Sequence, residues 1–334
     1  MRLAITKNQK PFIIAIIVIV QLLIVSYLGI KIYQQKTNVR GARVFAPIEK
    51  KNIIINPDSE LQYFYEPEPN TIENVNPWVP YKAIYTINSD SLNERFDYTT
   101  KKPDKTFRIV TLGDSYTYGL YVDTENNYSE KLEDMLNNTL SCKEYDKFEV
   151  INLGNGGYDI QYASERYKIR GQKYDPDLIV WFIKNDDMIQ LNEIMLPEEK
   201  IIAEELKETG EFDKLVESGE FYPSWVRAAQ GVIDTYGREN LVDIQIDFLN
   251  KFRESYTTPL LIITFPSTKD DYKKALKQFV SSQTNVLFHD EVPNIFTLEG
   301  ASFPNDGHPT ILGHNLIAKD LFEYLTKESL IPCD

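Results

Sequence analysis

After Pro103 the chain alternates short apolar runs with segments of helical periodicity, and that alternation constrains its fold more than any other feature. FRIVTL (107–112), FEVINL (148–153), DLIVWFI (177–183), PLLIITF (259–265) and NVLF (285–288) read as strands. EKLEDMLNN (130–138), DIQYASERYKIRGQKY (159–174), residues 270–281 and about 310–326 read as the helices between and after them. Five apolar strands separated by helices imply a parallel sheet covered on both faces, an α/β fold of flavodoxin-like three-layer (α/β/α) type. From Asp187 to about Arg253 a polar, Glu-rich stretch at helical spacing interrupts the pattern, and it reads as a helical insertion after the third strand. The sheet domain therefore spans about 105–330.

The segment before it has another character. Residues 31–104 carry Pro47, Pro57, Pro67, Pro69, Pro77 and Pro80, with only short extended runs such as Ala83–Ile87, and are expected to form a stalk or leader, with an accessory cap as the alternative. Phe12–Ile30 is 19 residues without a charge, close to the ~20 apolar residues that cross a ~30 Å hydrocarbon core. The run is longer than a secretory h-region of ~7–15 residues, and no small-residue cleavage site follows it directly, so an uncleaved transmembrane anchor is expected. Basic residues flank it on both sides, which leaves the positive-inside count undecided. The favoured arrangement is a short cytoplasmic tail (1–11), the anchor (12–30) and a domain outside the cytoplasm.

Charge sharpens this. Residues 1–43 hold seven basic and no acidic side chains, which leaves a net charge of −21 on residues 44–334. A domain that acidic repels phosphate backbones, and no basic cluster with interleaved aromatics offsets it, so nucleic acid is excluded as a partner. There are two cysteines, Cys142 and Cys333. In a flavodoxin-like winding the first and last helices pack on one sheet face and end near the same rim, so a bridge between the two is geometrically open; two free thiols is the alternative.

The chemistry-bearing residues fall at the carboxyl ends of strands, where open α/β sheets place their ligand sites. GDSYTYG (113–119) follows the first strand: Gly113 permits a tight turn, and Ser115 then projects from the rim beside free backbone N–H groups. NLGNGG (152–157) follows the second, where glycines let a backbone N–H approach a developing oxyanion. Asn185, after the third strand, can bring a side-chain N–H to the same point or serve as a helix cap. His308 lies in PNDGHPTILGH (304–314), between Gly307 and Pro309, with Asp306 two residues earlier. An imidazole with a pKa near ~6.5 suits the abstraction of a serine proton, and a carboxylate can orient it. Of the other histidines, His314 falls inside the final helix and is expected to pack or cap there, and His289 is a lesser candidate for the base.

Together these pieces resemble the SGNH hydrolases, also called GDSL esterases, over about residues 105–328. GDSYTYG looks like that family's first block, Gly157 matches the second, Asn185 in Lys-Asn-Asp the third, and Asp306 with His308 in Asp-Gly-His-Pro the fifth. The resemblance implies a Ser115–His308–Asp306 triad, an oxyanion hole of the Ser115 and Gly157 N–H groups with the Asn185 amide, and no cofactor or metal. Two departures are visible. Many members carry the acid three residues before the histidine, where this chain has Asn305, and Ile183–Lys184 stand where Gly-x usually precedes Asn-Asp. Lys184 beside the site is expected to favour an anionic group on the substrate, with Asp114 as a second candidate substrate contact.

The implied reaction is acyl transfer to water. The partner is then an acylated small molecule, glycan or lipid, with O-acetyl groups of a cell-surface glycan leading. An O-acyltransferase, a lipase or lysophospholipase, and a non-catalytic membrane-tethered binding protein stay open as alternatives. A P-loop phosphate site is disfavoured, because GDSYTYG has no lysine.

Overall fold

The computed structural model describes residues 53–75, 82–220, 222–304 and 306–333. The 12–30 segment lies outside these, and among the described residues no helix is long and apolar enough to cross a membrane.

Two antiparallel hairpins open the described chain: β1 (Ile53–Ile55) with β2 (Tyr65–Pro67), and β3 (Thr71–Val75) with β4 (Ala83–Ile87). In β4 the side chains alternate, with Ala83, Tyr85 and Ile87 buried and Ile84 and Thr86 outward. These hairpins are not a free stalk. Glu66 of β2 is buried against Arg166 and Arg170, and the guanidinium of Arg170 donates to Glu66 Oε2 at 2.8 Å. Burial works against the Glu66 charge, yet the two arginines and Asn56 hold the carboxyl down at about 2. Arg95 binds Glu130 at 2.5 Å and Asp134 at 2.8 Å. Of the two readings of 31–104, stalk and accessory cap, the described residues fit the cap: Pro57, Pro67 and Pro69 punctuate a hairpin, and partners a hundred residues downstream tie it down.

The central sheet is parallel, with β5 (Thr106–Leu112), β6 (Lys147–Asn152), β7 (Leu178–Phe182), β8 (Leu260–Ile263) and β9 (Val286–His289) in the order β6-β5-β7-β8-β9. The short α1 (Ser115–Tyr118) leaves the end of β5. α2 (Tyr128–Thr139) packs on one face, supplying Leu132 and Leu136 to a core shared with Ile317, Leu321 and Leu325 of the final helix. The other face is covered by α3 (Ile160–Arg166), which continues as a π turn (Tyr167–Gly171) and a 3-10 turn (Gln172–Tyr174) where one unbroken helix was expected.

Between β7 and β8 lie α4 (Asn192–Glu208), α5 (Glu211–Glu217), α6 (Pro223–Tyr236) and α7 (Arg238–Ser255). Only the first three are extra to the sheet. Val242, Leu249 and Phe252 of α7 join the core beneath Trp181 and Ile262, so α7 is the crossover helix itself, and the insertion ends near 236 rather than 253. α8 (Asp270–Ser281) and α9 (Ile311–Lys327) complete the layers, α8 beside α7 and α9 beside α2. Cys142, just past α2, and Cys333, just past α9, are joined as a disulfide with their Cα atoms 4.6 Å apart.

β6 is an edge strand, and its outward N–H groups are all occupied. Phe148 N–H donates to Asn137 Oδ1 at 3.0 Å, Val150 N–H to Glu133 Oε2 at 2.8 Å, and Asn152 N–H to Glu94 Oε1. Side chains from α2 and the leader thus cover an edge that would otherwise template another strand. The cover is titratable. Burial pushes Glu133 up to about 7, the Val150 N–H and the Tyr98 hydroxyl opposing it only in part, and burial with Glu130 also raises Glu94. Asp159 is raised by burial to about 6. A carboxyl held near 7 in the fold against ~4.3 in the unfolded chain gives stability that is complete below ~4.3 and lost as the pH rises through 7, on the order of 3 kcal/mol for Glu133. Thermal unfolding followed by circular dichroism should therefore give a higher midpoint at pH 5.5 than at pH 8; a midpoint that rises over that interval contradicts the assignment.

Candidate active site

The site is built on the turn from β5 into α1. Gly113 has φ +151°, and a Cβ there would meet Thr117 Oγ1 at 2.3 Å and the Phe182 carbonyl at 2.9 Å, so no side chain fits between β5 and β7. Asp114 caps α1, its Oδ1 accepting from Tyr116 N–H at 2.9 Å. Ser115 follows at the first helical position, where its N–H has no intrahelical acceptor.

Across the rim, the loop before α9 brings in His308. Gly307 N–H donates to the Phe303 carbonyl at 3.0 Å and Phe303 N–H to the His308 carbonyl at 2.8 Å, closing a tight turn. That turn lets Asp306 reach the histidine only two residues on: its Oδ1 accepts from His308 N–H at 3.2 Å and lies against His308 Nδ1. With the carboxylate on Nδ1, the Nδ1–H tautomer is assigned, which leaves Nε2 bare as an acceptor. His308 Nε2 stands 2.8 Å from Ser115 Oγ. Ser115 is 8 % exposed; the side chains of His308 and Asp306 are 12 % and 1 % exposed. Ser115, His308 and Asp306 are therefore brought together, while Asn305 lies outside the described residues.

Aromatic rings enclose this relay. Tyr116 lies against His308 with ring centroids 5.0 Å apart and donates to the Gly307 carbonyl at 2.9 Å; Tyr121 meets the imidazole edge-on at 5.2 Å. Tyr222, at the start of α6, places its hydroxyl 3.5 Å from Asp306 Oδ2. None of these was singled out from the sequence, where they are three of 21 tyrosines.

The second turn runs alongside the first. Leu153 N–H donates to the Thr111 carbonyl at 2.9 Å and Asn155 N–H to the Gly113 carbonyl at 3.3 Å, extending the β5–β6 pairing into 154–157. Gly157 has φ +74°, and a Cβ on it would lie 2.8 Å from the Trp225 ring and 3.0 Å from the Tyr65 hydroxyl. The insertion and the leader thus both reach the glycine turn.

Other expected residues have different partners. Asn185 Oδ1 accepts from Lys269 N–H at 2.9 Å, which fixes the sense of the amide and leaves Nδ2 on the opposite side. Lys184 Nζ binds Asp114 Oδ2 at 2.7 Å and sits 4.3 Å above the Tyr116 ring. Burial opposes its charge, but Asp114 and neighbouring carboxylates hold the ammonium well above its ordinary range. Its charge is thus matched inside the protein, which corrects the expectation that Lys184 waits for an anionic substrate and likewise gives Asp114 an internal role. His289 is 2.7 Å from Asp320 Oδ2 and stacked on Tyr324, and His314 is fully buried against Tyr128, its pKa pushed by burial to about 3. Among the described residues no group of three or more His, Cys, Asp or Glu side chains converges as a metal ion requires.

No protein-family profile matches the chain, and no curated protein matches its sequence. Among solved structures it is similar to a two-domain esterase active on acetylated mannans, at 15% identity and a TM-score of 0.41, the match covering 69% of this chain and 51% of that one. The chain thus corresponds to about half of that protein. It is also similar to a catalytic mutant of Axe2, an acetylxylan esterase from Geobacillus stearothermophilus (16% identity, TM-score 0.41, covering 68% and 95%), and to TesA (15%, 0.39, 67% and 99%).

Proposed function

We propose that this protein is a serine esterase that removes short acyl groups, with O-acetyl groups of a cell-surface glycan as its substrate class. The observation that carries the reading is the hydrogen-bonded series Ser115 Oγ, His308 Nε2, His308 Nδ1, Asp306 Oδ1. In it, Ser115 Oγ bonds to the ester carbonyl carbon as its proton passes to His308 Nε2. The carbonyl oxygen becomes an oxyanion facing the Ser115 and Gly157 N–H groups, with Asn185 Nδ2 as third donor. The C–O bond breaks and the alcohol leaves with the proton from His308. Water then attacks the acyl-enzyme and gives its proton to the same nitrogen; the bond to Ser115 Oγ breaks, that oxygen takes the proton back from His308, and the acid is released. Lys184 pairs with the Asp114 carboxylate 3.3 Å from Ser115 Oγ, so that carboxylate does not oppose the oxyanion as an unmatched charge.

The aromatic side chains around the relay, Tyr116 and Tyr121 against His308, Tyr222 at Asp306 and Trp225 at Gly157, favour a small acyl group. With 12–30 as an anchor, the acidic domain stands outside the cytoplasm, a compartment that suits the Cys142–Cys333 bridge. The test is turnover of p-nitrophenyl acetate against the octanoate by the full-length chain. Acetate should give the higher kcat/KM by about tenfold or more, roughly 1.4 kcal/mol of discrimination. Preference for octanoate overturns the acyl assignment, and no turnover of either overturns hydrolysis.

A further inference from the structure

The oxyanion N–H of Gly157 belongs to the same peptide unit as the Gly156 carbonyl, and that carbonyl is held from outside the sheet domain. The Tyr65 hydroxyl donates to Gly156 O at 2.5 Å. The 156–157 peptide is trans, so its C=O and N–H point in opposite directions. A donor that fixes the carbonyl therefore fixes where the N–H aims, and it also polarises the amide so that the N–H is a stronger donor. Among the described residues the Gly157 N–H has no acceptor of its own, as an oxyanion donor requires.

We propose that Tyr65, contributed by the leader hairpin β1–β2, is a positioning residue that orients the Gly157 N–H toward the oxyanion; the inference rests on the esterase reading above. Tyr65 is itself held. Its carbonyl accepts from the Tyr158 hydroxyl and from Asn155 Nδ2 at 3.3 Å, and its ring packs edge-on against Tyr158 at 5.3 Å. Glu66, the next residue, carries the buried ion pair with Arg166. Burial, with Tyr158 and Asp159 nearby, pushes the Tyr65 phenol well above its ordinary value, so it stays a donor at every working pH. On the far side of Gly157, Asn192 Nδ2 donates to the Gly157 carbonyl at 2.7 Å, so both peptides around the φ +74° residue are clamped. The leader is then part of the machinery rather than a spacer.

The test compares Tyr65→Phe with wild type in the full-length chain on p-nitrophenyl acetate. Since loss of a whole oxyanion donor costs ~10²–10³, misaiming one should lower kcat by about 10- to 10²-fold with KM changed by less than about twofold. Fluorophosphonate labelling of Ser115 should slow by the same factor. Tyr65→Met, which fills the space without a hydroxyl, should match it. Tyr162→Phe loses a phenol from the same aromatic cluster, one bonded to Glu193 instead, and should stay within about twofold of wild type. A Tyr65→Phe variant with wild-type kcat, or an effect on KM alone, overturns the proposal while the esterase reading stands. A folded wild type with neither turnover nor labelling overturns both.

Discussion

Ser115→Ala is expected to lower kcat on a short-chain ester by about 10⁴- to 10⁶-fold, with the fold and unfolding midpoint intact. The size follows from the chemistry. Without Oγ there is no acyl-enzyme, and what remains is the weak catalysis of an oxyanion site acting on bound ester and water. His308→Ala should cost about as much, because Oγ then keeps its proton during attack. The double variant should be no worse than either single one, since the two act as a unit. Loss of less than about tenfold in Ser115→Ala, measured by initial rates above background hydrolysis, would place the nucleophile elsewhere.

The second large effect is on stability. Glu66→Gln leaves the Arg166 guanidinium, whose side chain is fully buried, without its counter-charge. Removing one partner of a buried pair typically costs 3–5 kcal/mol, and the unfolding midpoint should fall by roughly 6–15 °C for a domain of this size. Replacing both Glu66 and Arg166 by Met should recover most of the loss, because the fully buried charges leave together and the partly exposed Arg170 keeps Asp90 at 3.1 Å. Calorimetry of the single and double variants decides it; a Glu66→Gln midpoint within about 2 °C of wild type would mean the pair is not closed in solution. Because Glu66 follows Tyr65, the single variant should also lose esterase rate under conditions where it is folded.

What the sequence revealed and what it hid divide along a physical line. The five strands were legible because burial on both faces makes each a continuous apolar run, and their order in the chain was enough to put Ser115, Gly157 and His308 on one rim. The same winding brought the ends of α2 and α9 together, which made the Cys142–Cys333 bridge foreseeable. Helix α7 was misread as insertion because its Glu- and Asp-bearing outer face masked the Val242, Leu249 and Phe252 stripe. The leader was left between stalk and cap because its order comes from charges paired across about a hundred residues, Glu66 with Arg166, which leave no local periodicity. Lys184 was read as facing substrate because its partner Asp114 sits on another strand's loop. Tyr65, Tyr222 and Trp225 carried no signal: an aromatic residue in a proline-rich or helical stretch looks the same whether it packs or reaches a site.

The measurement that bears most directly on the central claim is mass spectrometry of the full-length protein after exposure to a fluorophosphonate. A single adduct on the peptide containing Ser115, absent in Ser115→Ala and formed at least about 10²-fold more slowly in His308→Ala, is the expected result. A folded protein that takes no adduct, or takes it on another hydroxyl, would contradict a nucleophile at the end of β5 activated by His308.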